Sequence, residues 1–257
     1  MIDAFSLKLL AAVTMLVDHL TVCFLEMVPE ASTGIRLALY SDGWYLLDRI
    51  GRGIGRTAFP VFAFCLVEGF FHTGSRGRYL GRLLCAAAVS QLPFYLLNNR
   101  GPFAKDVVSG NTIATLSLGL MLIWAVDLIW GKVRFRQQGI AGFLRILAIL
   151  ACTGGAWLLA EKLSLDYGGA GVLTVLILYL LRGFPPMGVW RAAPLAAGIF
   201  LGSWEESEWF ALPACVLLCF YNGERGRSGK REKYFFYLFY PAHLLVLWGI
   251  RQVLFGY

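Results

Sequence analysis

Residues 5–28 read FSLKLLAAVTMLVDHLTVCFLEMV, with Lys8 near one end, Glu26 near the other, and Asp18 and His19 set inside an otherwise apolar run. About 20 apolar residues in a helix cross a hydrocarbon core of roughly 30 Å, so this run predicts a membrane-spanning helix. The rest of the chain repeats the pattern. It is 58% hydrophobic and only 15% charged, with a mean hydropathy of +0.64, where an average soluble domain carries about 25% charged residues. Such a chain cannot cover itself with polar surface, and lipid must be its solvent. Spans are expected near residues 5–28, 57–73, 79–98, 112–130, 143–161, 170–183, 187–202, 207–222 and 235–255. The fold class is therefore all-α: one polytopic transmembrane helix bundle over residues 1–257, of about nine helices, with eight to ten possible.

The charges orient this map. With the N-terminus inside, Arg76, Arg78, Arg82, Lys132, Arg134, Arg136, Arg182, Arg191, Arg225, Arg227, Lys230, Arg231 and Lys233 make thirteen inner cations. Six fall outside, Arg36, Arg49, Arg52, Arg100, Lys105 and Lys162, together with the acidic Glu205, Glu206 and Glu208. The positive-inside rule favours a cytoplasmic N-terminus, an outer C-terminus and an odd helix number, in a multi-pass protein of the cell membrane. The net charge of +7 is thus an orientation signal, and nucleic acid is not an expected partner. The first run is long, holds Asp18-His19 and lacks a small-residue cleavage site, so no cleavable signal peptide is expected. The cysteines, Cys23, Cys65, Cys85, Cys152, Cys215 and Cys219, lie in apolar runs without metal spacing and read as buried free thiols. Residues 29–55 carry Trp44, Tyr45, Asp48, Arg49, Arg52 and interleaved glycines, and predict an interfacial or partly re-entrant segment. No internal repeat is visible.

Ionisable groups inside membrane helices are costly, and each is a functional candidate. His19 lies about 11 residues beyond Lys8, roughly 17 Å at 1.5 Å per residue, near the middle of the bilayer. Asp18 points about 100° away from it and is better placed to pair with an arginine such as Arg56. In the last span, His243 follows Tyr240-Pro241 and sits about nine residues in, or roughly 14 Å. Two of the three histidines thus reach one depth and could line one cavity, or simply lock helix packing. His72, four residues after Glu68, reads as a local ion pair or cap. A buried histidine could be a ligand, a proton relay or a general base, since it exchanges a proton near neutral pH. No nucleophile elbow and no metal-ligand set accompanies the pair. Histidine alone suits group transfer from an activated donor such as a thioester, where the protein need only deprotonate the acceptor and hold the donor.

Several stretches form an ordered set: Met15-x-x-Asp18-His19; Gly55-Arg56-Thr57-Ala58-Phe59-Pro60-Val61-Phe62-Ala63-Phe64 running on to Glu68-Gly69; Tyr79-x-x-Arg82-Leu83; Ser90-Gln91-x-Pro93-Phe94; Asn111 with Thr115-Leu116; Asp166-Tyr167-Gly168; and Phe239-Tyr240-Pro241-x-His243-Leu244. In this the chain resembles the TraX family, named for the membrane N-acetyltransferase of conjugative pilin, and more distantly the membrane acyltransferase-3 group. The resemblance implies acetyl transfer from acetyl-CoA, with the first-helix histidine, here His19, as the essential base. It further implies that Arg56 and Arg82 meet negative charge on CoA or on buried acids.

The expectation is a membrane-embedded acetyltransferase that moves an acetyl group from acetyl-CoA to an amine or hydroxyl. The acceptor could be a protein N-terminus, a glycan or a small molecule. Acetyl-CoA is the co-substrate and no metal is expected. Its phosphates would meet Arg76, Arg78, Arg82 and the loop 225–233, with His243 or Tyr240 stabilising charge or returning the proton. The rival is a proton-coupled secondary transporter relaying protons through Asp18, His19, Glu68 and His243, although no pair of related halves is visible. A non-catalytic scaffold would leave the buried histidines unexplained.

Overall fold

The computed structural model describes residues 2–26, 42–98, 109–130, 139–182, 189–227 and 229–255. Among them, helices account for nearly all the chain and no strand forms. Helix α1, Ala4–Thr21, starts where Asp3 Oδ1 accepts the Ser6 N–H at 2.7 Å, satisfying one of the donors a helix start leaves open. It ends in a π-helical turn, Val22–Glu26. Then follow α2 (Asp42–Arg56), α3 (Ala58–His72), α4 (Arg76–Asn98) and α5 (Thr112–Trp130). After them come α6 (Ile140–Lys162), α7 (Gly168–Arg182) and α8 (Val189–Trp204). A 3-10 turn, Glu206–Ala211, leads into the short α9, Leu212–Leu218, and α10, Lys230–Phe255, closes the bundle.

Among the described residues, six helical stretches are long and apolar enough to cross a membrane: Ala4–Glu26, Gly43–His72, Arg76–Asn98, Thr112–Trp130, Ile140–Lys162 and Tyr234–Phe255. Two shorter apolar helices, Gly168–Arg182 and Ala192–Trp204, stand among them. The protein is a membrane protein of the expected all-α class.

Chain contacts sort the connections onto two ends. At the N-terminal end, Ile2 pairs with Tyr221, and Arg225 donates to the His72 carbonyl. At the far end, Gly110 pairs with Leu165, and Arg251 donates to the Leu96 and Leu97 carbonyls at 2.8 Å. That arginine satisfies carbonyls which the last turn of α4 leaves open. Helices α1, α3, α5 and α7 supply most of the core, including Leu7, Phe59, Leu120, Ile123 and Val175. Interior hydroxyls fold back on their own helices, Ser117 to the Ile113 carbonyl and Thr174 to that of Ala170, so they cost little in the apolar interior. Helix α6 is peripheral, with Ile140, Phe143 and Leu158 facing outward, as lipid allows.

Three details depart from the sequence reading. The eighth expected span, near 207–222, is a 3-10 turn followed by only seven residues of α-helix; Pro213 can open a helix but not continue one. The part of 29–55 that is described forms α2, whose polar and apolar residues segregate onto opposite faces. Residues 27–41 lie outside the described residues, as do Lys132, Arg134 and Arg136 of the expected inner loops. The cysteines are free, but Cys85 is exposed rather than buried, because its helix turns that face outward.

Candidate functional site

His19 and His243 meet in the centre of the bundle. His19 Nδ1 lies 2.8 Å from His243 Nε2, and both residues are buried. The α1–α10 packing brings together residues 224 apart in sequence. Tyr240 completes the group, its ring edge-on to both imidazoles at centroid distances of 6.2 and 5.8 Å. Its buried hydroxyl lies beside Thr112 without reaching hydrogen-bond geometry. The Phe239 ring stacks on His243 at 4.7 Å.

A cavity of about 390 Å³ runs from the N-terminal end toward this group. Its inner part is lined by Met15, one turn before His19, with Thr112 and Tyr240. Its walls are aromatic, with Phe62, Tyr79, Phe236 and Tyr237. Lys8, Arg82, Arg225 and Arg227 bring cations to it. Arg82 stands out because its buried Nε has no hydrogen-bond partner and no carboxylate pairs with it among the described residues. A buried donor without a partner costs free energy unless something fills its place.

The other expected arginines are placed differently. Arg76 pairs with Asp127 and lies over the Phe70 ring at 4.2 Å, and Arg78 is exposed near the same end. Arg56 is at the far end, 2.8 Å from Glu208 and 3.7 Å from Glu205, over the Tyr167 ring. Asp18 takes Arg52, not Arg56, at 2.8 Å, and Arg52 also reaches Glu26 at 3.1 Å. One helical turn separates the two arginines on one face of α2, and the closer turn wins. Gly55 permits this approach, since a Cβ there would overlap the Asp18 carboxylate; Gly51 does the same beside Thr21. Near the N-terminal end, Glu68 pairs with Arg182 at 2.7 Å while His72 Nδ1 donates to the Glu68 carbonyl.

The remaining motif residues converge on the far end. Thr112 and Thr115 hydrogen-bond the side chain and carbonyl of Asp166 respectively. Burial raises the Asp166 carboxyl above the ordinary range, and the Thr112 hydroxyl and nearby arginines oppose that rise. Tyr167 stacks on Phe59 at 3.9 Å. Asn111 bonds Gln91 and the Ala87 carbonyl and accepts the Ala114 N–H, which caps α5 against α4. Sequence reasoning anticipated Arg225 and Arg227 through the loop 225–233 but did not find Lys8 as a cavity residue, nor Arg52 as the partner of Asp18. The position of Arg52 one turn from Arg56 was the available signal. Among the described residues, no group of His, Cys, Asp and Glu could hold a metal ion.

The two imidazoles do not line the cavity, as the sequence suggested they could, but lie behind Phe239 and Tyr240, which do. A helical membrane protein with a buried histidine pair next to a cationic, aromatic cavity is the class that fold and site define. Residues 4–251 match the TraX protein family, and the chain belongs to it. It is similar to the probable fimbrial assembly protein FimC, serogroup H1, of Dichelobacter nodosus, with 30% identity over 273 residues, 98% of this chain and 97% of that protein. No solved structure matches the chain.

Proposed function

We propose that the protein is a membrane-embedded acetyltransferase that takes acetyl from acetyl-CoA, with His19 as general base. The observation that carries this reading is the buried His19–His243 pair beside a cavity whose Arg82 lacks any acid partner among the described residues. A cavity with an apolar aromatic interior and a few polar groups is the usual form of a small-molecule site. Its four cations outnumber the two carboxylates that also line it, Glu232 and the Glu68 that Arg182 holds. Such an excess suits phosphates, and aromatic walls suit an adenine ring. The acceptor is an amine or hydroxyl. The similarity to a probable fimbrial assembly protein makes a pilus-related protein the first acceptor to test.

A proton relay through Asp18, His19, Glu68 and His243 is less favoured. Asp18 and Glu68 are held in ion pairs with Arg52 and Arg182, and neither bonds His19 or His243.

Acetyl-CoA is cytoplasmic, so the cavity end, and with it the N-terminus, is assigned to the cytoplasmic side. Sealed vesicles carrying the protein test both points, because acetyl-CoA does not cross a bilayer. Labelled acetyl-CoA should bind, and its thioester be slowly cleaved, in inside-out vesicles and not in right-side-out ones. Absence of binding at millimolar acetyl-CoA in both, with the protein folded, would sink the acetyltransferase reading. Binding only right-side-out would invert the topology.

A further inference from the structure

His243 Nδ1 lies 2.7 Å from the Phe239 carbonyl oxygen, one turn earlier on α10, while its Nε2 faces His19 Nδ1 at 2.8 Å. A carbonyl oxygen only accepts, so the nitrogen facing it carries the hydrogen. In a neutral imidazole the other nitrogen is then a bare acceptor. His243 Nε2 therefore receives a hydrogen bond, and the hydrogen in it belongs to His19 Nδ1. The same rule applied again leaves His19 Nε2 bare. The reverse arrangement would set a lone pair of His243 Nδ1 against the Phe239 oxygen at 2.7 Å, and the low dielectric of the interior magnifies that repulsion.

We infer that His243 is a positioning residue: anchored on the Phe239 carbonyl, it holds His19 in the Nδ1–H tautomer and makes Nε2 the atom that takes the acceptor's proton. Which ring nitrogen acts is commonly decided by the bond the other one makes. The usual orienting group is a carboxylate or a carbonyl; here a second imidazole passes the carbonyl's influence on. Phe239 stacking on His243, with ring planes 16° apart, holds that ring in place. The other groups around the pair are Tyr240 from α10, Asp18 from α1 and Arg52 from α2; Asp18 is committed to Arg52.

The catalytic consequence rests on the acetyltransferase reading. The acceptor's N–H or O–H proton passes to His19 Nε2 as its lone pair bonds the acetyl carbon. The carbon–sulfur bond breaks, the thiolate of CoA leaves, and the proton on Nε2 returns to it as a thiol. Throughout, His19 Nδ1–H stays bonded to His243, so the transient imidazolium shares its charge along a prepared line of acceptors.

The chain has three histidines, so ¹⁵N-histidine labelling in nanodiscs gives a readable spectrum, with His72→Gln removing the third ring. The expected result is His19 protonated at Nδ1 and bare at Nε2. In His243→Phe the His19 tautomer should become mixed. Turnover should fall about 10- to 100-fold, below the 10²–10⁴ attributed to a whole general base, with KM for acetyl-CoA unchanged. His243→Gln, whose amide oxygen can accept from His19 Nδ1, should restore a single tautomer and part of kcat. A native His19 carrying its hydrogen on Nε2 overturns the inference, as does a His243→Phe protein with unchanged tautomer and kcat. The expected tautomer in a protein that never turns over acetyl-CoA would uphold the geometry while removing the acetyltransferase reading.

Discussion

The two ends of the bundle treat arginine in opposite ways. At the far end each arginine of α2 that faces the core meets a carboxylate: Arg52 takes Asp18 and Glu26, and Arg56 takes Glu208 and Glu205. At the N-terminal end, Arg76 and Arg182 are matched in the same way by Asp127 and Glu68. Arg82 is not, and it is the one of these that lines the cavity. A cation matched by an acid within the fold is needed to hold helices together. On the proposed function, the half-buried Arg82 without an acid is the cation expected to meet a charge from outside. The same residue type, read from sequence as one class of candidate, thus divides into members that an acid within the fold matches and one, among those compared, that none matches.

The largest expected effect breaks the centre on which both ends converge. His19→Ala should lower acetyl transfer by about 10²–10⁴, the usual worth of a general base. The protein should still fold, with a loss of about 1–3 kcal/mol from the stranded His243 Nε2, and acetyl-CoA binding should stay near the parent's. Near-normal turnover, or a protein that does not fold, would count against the role.

The far end is sharpened by Arg56→Ala. It strands the Glu208 side chain, only 3% exposed, and removing one member of a buried pair costs about 3–5 kcal/mol; the partial exposure of Arg56 puts the expectation at the lower end. Thermal unfolding in detergent should register the loss while KM for acetyl-CoA stays put. A raised KM with an unchanged melting temperature would return Arg56 to the donor site.

The smallest effect belongs to Arg82→Gln. A hydrogen bond to a charged group is worth about 1.5–3 kcal/mol, so KM for acetyl-CoA should rise roughly 10- to 100-fold, with kcat and melting temperature unchanged. A drop in stability instead would erase the contrast between the two ends.

Much of this was legible in the sequence, for identifiable reasons. Apolar runs of the length lipid demands mark the helices, because backbone groups in hydrocarbon must bond within their own segment. The cost of an imidazole in that medium singles out His19 and His243, and the rise of the helix places them at one depth. The eighth span does run from the far end, where Glu208 meets Arg56, to the N-terminal end, where Tyr221 pairs with Ile2. Hydropathy registers its apolar side chains but not the 3-10 turn that opens it before Pro213.

Partners are what the sequence left open. Whether Asp18 meets Arg52 or Arg56 depends on how closely α2 can approach α1, and that is decided by the missing side chain of Gly55 against one carboxylate. Whether Arg82 is paired depends on where Asp127 of α5 and Glu68 of α3 fall once the helices pack, and they fall on Arg76 and on Arg182 of α7. Which ring nitrogen of His19 carries its hydrogen is set, through His243, by a carbonyl on the last helix. Solvent preference is a property of each segment and can be read one residue after another. Hydrogen bonds and ion pairs have a range of about 3 Å, so only the packed tertiary structure decides which groups make them.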